Sequence, residues 1–197
     1  MRGKADMPID MLTISDLVDC AGPPNEAIRS AWLRRARYYA QNGLLSTDGP
    51  LHAGSGKHRR FSEETAFLAA LLFRLGSAGL PLPVLAAVAH SIKIELKDPS
   101  SSLFKDAWEA AKTGQDVHLG LRFSDPEANP VGMPTFVRLE VLGDKLDDPK
   151  VTGPVPLHVV YLGQVFAPVR AGLLRVMPPK PHRHVESRIF VGLNESV

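Results

Sequence analysis

Seven cationic residues lie between Arg29 and Ser62, namely Arg29, Arg34, Arg35, Arg37, Lys57, Arg59 and Arg60, against the single acid Asp48, a local balance of +6. Guanidinium groups at this density suit forked hydrogen bonding to the phosphates of a polyanion. Eleven acids against seven bases follow between Glu95 and Lys150, a balance of −4, although the whole chain carries only +2. The charge therefore divides by position along the chain, which assigns polyanion contact to the first half and a different task to the second. Other chemistries find no support in the residues. The sequence has no G-x-S-x-G, Walker loop, H-E-x-x-H or Cys-His pairing, so it is not read as an enzyme. His182 and His184 stand at i and i+2 in a Pro-flanked tail, with His158 elsewhere, a poor metal set. Asp144, Asp147 and Asp148 read as a solvated turn. One cysteine, Cys20, excludes an internal disulfide and a multi-thiolate metal centre. No cofactor is expected.

These cations need elements to position them. Thr13 caps a short helix over Ile14 to Cys20, with Asp16 in the place of a capping-box partner, and Ala21-Gly22-Pro23-Pro24 ends it. A second helix opens at Pro24 or Asn25 and runs to Gly43. Ala27, Ile28, Ala31, Trp32 and Leu33 share its broad apolar face, while Arg29, Arg34 and Arg37 project elsewhere. Leu44 to Arg60, punctuated by Gly49, Pro50, Gly54 and Gly56, is expected to be a hairpin-like loop returning through Lys57, His58, Arg59 and Arg60. Ser62 caps a third helix over Glu63 to Leu75, and a fourth follows from Pro81 to about Lys93. Helix, turn, basic helix, basic loop and two further helices follow the order of a winged helix-turn-helix.

Four pieces of this region, in order, resemble the DNA-binding domain of the MerR family of transcriptional regulators. They are TISDLVDCAG (Thr13 to Gly22), ARYYAQNGLL (Ala36 to Leu45), GKHRRFS (Gly56 to Ser62) and FRLGSAGLPLPVLAAV (Phe73 to Val88). The resemblance implies that Arg37 and Tyr38 touch the DNA backbone from the end of the second helix and Arg59 from the wing. It also implies that Tyr39, Leu44 and Leu45 pack inside. The sequence departs from the family in a longer stretch between Gly22 and Arg37, which holds Trp32 and the Arg34-Arg35 pair, and in a longer wing. Asn25 and Arg29 are base-contact candidates by position alone; Arg34, Arg35, Lys57 and Arg60 are phosphate candidates by charge. Trp32 and Cys20 are expected in the core.

The second half changes texture. A short helix over Ser102 to Lys112 precedes three strand-like runs, Asp116 to Phe123, Thr135 to Leu142 and Pro156 to Phe166, and PPKPHRH opens a poorly ordered tail. The expected fold is α+β: a mostly helical DNA-binding part over 1–95, a small strand-rich α+β region over 96–177 for dimerisation or effector binding, and a flexible tail over 178–197. No helix is long enough for a full coiled coil, so homodimerisation and binding as a single copy are both open. The longest apolar run, Ala66 to Phe73, is far too short for a bilayer span. With one cysteine and charges near the N-terminus, the chain is expected in the cytoplasm, on the nucleoid when bound. Double-stranded DNA is the expected partner, and a transcriptional regulator the expected function. The alternatives are an architectural DNA binder of excisionase or phage-control type, and a helix-turn-helix protein scaffold.

Overall fold

A computed structural model describes residues 11–47, 59–123, 137–142 and 157–177. Over these the chain forms α1 (Ile14–Cys20), α2 (Glu26–Gln41), α3 (Glu63–Ser77), α4 (Leu82–Lys97), α5 (Ser102–Thr113), β1 (His118–Phe123), β2 (Val137–Leu142), β3 (Leu157–Tyr161) and α6 (Leu162–Val176). The architecture is α+β and mainly helical. The strands make one antiparallel sheet in the order β2-β1-β3.

Local chemistry accounts for the first helices. Thr13 and Asp16 close a capping box on α1: the Asp16 amide donates to Thr13 Oγ1 at 3.2 Å, and the Thr13 amide donates to the Asp16 carboxylate at 2.7 Å. Gly22, at φ +68°, turns the chain out of α1, and the prolines behind it prevent continuation. Asn25 then caps α2, its side-chain oxygen accepting from the Ile28 amide at 2.9 Å. Ser62 does the same for α3 through Thr65 at 3.3 Å, with Glu63 and Glu64 facing the positive end of the helix.

The helix α3 is the spine: from Thr65 to Phe73, and again at Leu75, its residues are buried. On one side α2 packs through Trp32, whose indole stacks on Phe73 at 5.0 Å between ring centroids, and through Tyr39 at 6.1 Å from the same ring. On another, Phe166 of α6 meets Phe67 and Trp108 edge-on, both at 4.9 Å. Aromatic burial of this kind contributes roughly 1.5–3 kcal/mol per side chain. The Trp108 indole donates to Glu64, and Lys112 Nζ lies 2.8 Å from the other oxygen of that carboxylate, so α5 is fastened to the start of α3. Burial opposes the charge on Lys112, but hydrogen bonds to Glu64 and Glu109 outweigh it and raise its pKa.

One expected strand needs correction. The run from Pro156 to Phe166 does not stay extended: β3 ends at Tyr161 and α6 begins at once. Leu162, Phe166, Val169 and Leu173, at spacings of four, three and four, form its buried stripe. Gly163, Pro168 and Gly172 hide that period because they read as helix breakers. Their role here is close approach. A Cβ on Gly172 would stand 2.5 Å from Cys20 Cα, and one on Gly22 would stand 2.6 Å from Pro168 Cβ. The segment after residue 95 is therefore less strand-rich than expected. It is also not separate: α4 continues to Lys97, α6 packs on α1 and α3, and the buried apolar residues of both parts form one core. The expected tail over 178–197 lies outside the described residues. Among the described residues no helix is long and apolar enough to cross a membrane.

Candidate nucleic-acid interface

The helix α2 is long enough, at 16 residues, to show different faces to the core and to solvent. With 100° between successive residues, Trp32, Ala36, Tyr39 and Ala40 fall on the buried side, and Arg34, Arg37 and Tyr38 fall on the outward arc. Tyr38 is 46% exposed, whereas its neighbour Tyr39 is 3% exposed. The adjacent tyrosines therefore take opposite roles, one at the surface and one in the core. Leu44, Leu45, Trp32 and Cys20 are buried, as the sequence leads one to expect.

On one flank of α2 is a cleft of about 470 Å³, lined by Thr13, Ile14 and Ser15 of α1 and its cap, by Arg29, Leu33 and Arg37 of α2, and by Arg59. Arg59 is brought there by a two-way backbone bridge. The Leu12 amide donates to the Phe61 carbonyl and the Phe61 amide donates to the Leu12 carbonyl, each at 2.9 Å. The stretch from Arg59 to Phe61 is thereby held beside the start of α1. On the other flank Arg34, Arg35 and Tyr38 line a second cleft with Gly76, Leu80, Leu82 and Leu85 of the α3–α4 turn. Arg35 reaches Ser77 Oγ at 3.4 Å, and the Trp32 indole donates to the same oxygen at 3.3 Å. Among the described residues, Arg34, Arg35, Arg37 and Arg59 have no carboxylate partner.

Three candidate residues turn out to be occupied with structural work. Asn25 spends its side-chain oxygen on the α2 cap. Arg29 is engaged by Asp19, with Nε 2.6 Å from one carboxylate oxygen and an Nη 3.0 Å from the other; a further donation reaches Ser15 Oγ at 2.9 Å. The hydrogen bond from Arg29 holds the Asp19 carboxyl below its ordinary range, and the pair raises Arg29 in turn. Arg60 approaches the Met11 carbonyl at 3.5 Å, beside the Leu12–Phe61 bridge. Lys57 lies outside the described residues, as do the middle of the expected wing, Asp144, Asp147, Asp148, His182 and His184. Sequence reasoning missed Asp19, which neutralises the first arginine of the cluster. Its only signal was an acid placed one tight turn before a basic helix.

Cys20 is buried, and desolvation, followed by the nearby Asp16 charge, pushes its thiol up to about 11. It is not a thiolate at neutral pH. Among the described residues no three His, Cys, Asp or Glu side chains gather as a metal site. The sequence matches no protein-family model and no curated protein.

Proposed function

We propose that the chain binds duplex DNA as a winged helix-turn-helix transcriptional regulator of MerR-like type, with α2 in the major groove. One observation carries this reading: the outward arc of α2 holds Arg34, Arg37 and Tyr38, with Arg35 and Arg59 on its two flanks, and none of these arginines is neutralised by an acid among the described residues. A helix of about 10–12 Å diameter fits a groove about 12 Å wide. Cations on both flanks then face the two phosphate strands that border it. Arg37 and Arg59 serve one strand, and Arg34 and Arg35 the other, so the helix is centred between them. Arg29, paired with Asp19, sets the angle between α1 and α2 and does not contact a base. The resemblance of Thr13 to Val88 to the MerR family supports the same assignment.

The test is selection of bound fragments from random duplex DNA with the full chain, followed by titration of the winner at two salt concentrations. Each neutralised phosphate contributes about −0.9 to the slope of log K against log salt, so Arg34, Arg37 and Arg59 alone give roughly −3. Arg37→Ala or Arg59→Ala should weaken binding about tenfold at low salt on every sequence and flatten the slope by about one. An enriched inverted repeat would identify two copies on one operator. A flat salt dependence overturns the proposal.

A further inference from the structure

A groove of about 430 Å³ separates the α3–α4 turn from the start of α6, on the side of the molecule where β3 ends. Its size falls within the range of roughly 300–1,000 Å³ typical of small-molecule sites. Leu75 and Leu80 form one wall and Val160 and Val165 the other, so most of the lining is apolar. Among the described residues the polar groups are Arg74, Tyr161 and Gln164, and no Asp or Glu lines the groove. Arg74 is exposed and has no carboxylate partner among the described residues. Its guanidinium rests over the Trp32 ring, 5.7 Å from the centroid.

We infer that this groove is a binding site for a small organic carboxylate with an apolar body. The apolar walls remove the body from water, and the unpaired guanidinium supplies the fork that a carboxylate matches with two hydrogen bonds. Tyr161 and Gln164 bring neutral donors from the opposite wall. A cationic ligand would meet Arg74 without a compensating acid, and a neutral one would leave the fork unused. The cation–π contact places Trp32 next to the recognition group, so a carboxylate that draws Arg74 toward the groove alters the surroundings of an indole that stacks within the core. The site joins α3 to β3 and α6, and it does not depend on the DNA reading.

The experiment is calorimetric titration of the full chain with octanoate, with tryptophan emission followed in parallel and 1-octanol and octylamine as chain-matched controls; no DNA is present. Octanoate should saturate one site and shift the emission, and both controls should bind at least tenfold more weakly. Arg74→Gln should abolish the preference for the acid, Arg74→Lys should keep most of it, and Val165→Gln should weaken octanoate and octanol together. Equal uptake of octanol, unchanged octanoate binding by Arg74→Gln, or no saturable uptake up to about 10 mM, a ceiling of only a few kcal/mol of affinity, would overturn the assignment.

Discussion

Asp19, with Glu26 at 3.5 Å on the same Arg29 guanidinium, divides the basic cluster. It holds Arg29 at 2.6 Å and leaves Arg34, Arg37 and Arg59 without an acid among the described residues. Asp19→Asn should therefore release Arg29 toward the cleft it shares with Arg37 and Arg59, tightening DNA binding and making the salt slope steeper by up to about 0.9. A titration of the variant beside the parent protein checks this. The same pair has a pH signature. The Asp19 pKa is lowered from 3.8 in the folded chain, so the stability the pair contributes is fully present above that value and fades as the pH falls through the lowered one. Both partners are partly exposed and the pair is screened by solvent, so the contribution is small. Urea unfolding of parent and Asp19→Asn should differ near pH 7 and converge well below pH 3.8.

Close approach governs the elements in the second half. Because Gly172 leaves no room beside Cys20 Cα, Gly172→Ala should lower stability by about 1–3 kcal/mol, with the urea midpoint reduced and the slope unchanged. Trp32→Ala should cost more, about 3–5 kcal/mol, by opening a cavity against Phe73. The first three helices are legible in the sequence because Thr13, Asn25 and Ser62 mark their starts with short-range chemistry, and Gly22 and Gly43 follow the ends of the first two. The helix α6 is not legible. Its glycines and Pro168 answer to neighbours more than a hundred residues away in the case of Cys20 and Gly22, and no local rule anticipates that. The exposed set at the candidate interface divides in the same way. The outward position of Arg37 and Tyr38 is legible from motif and charge, whereas the pairing of Arg29 required a partner fixed by the turn between α1 and α2.

At the scale of the molecule, the shared core makes the sheet and α6 part of the support for α2. Phe166 touches both Phe67 and Trp108, while Trp32 packs on the far part of the same spine at Phe73. The chain should therefore unfold in one transition, with tryptophan emission and helical circular dichroism changing together. Two separated transitions would show that the halves are independent. Ending the chain after Tyr161 should remove the covering of α1 and α3 and destabilise the first half as well, which loss of the sharp transition would report. The seam between Gly172 and Cys20 has a kinetic meaning too. As the protein's one thiol is sealed by α6 and kept protonated, a maleimide or disulfide reagent can reach it only when that seam opens. The labelling rate of Cys20 is thus a clock for the parting of α6 from α1, readable in the native protein by mass alone.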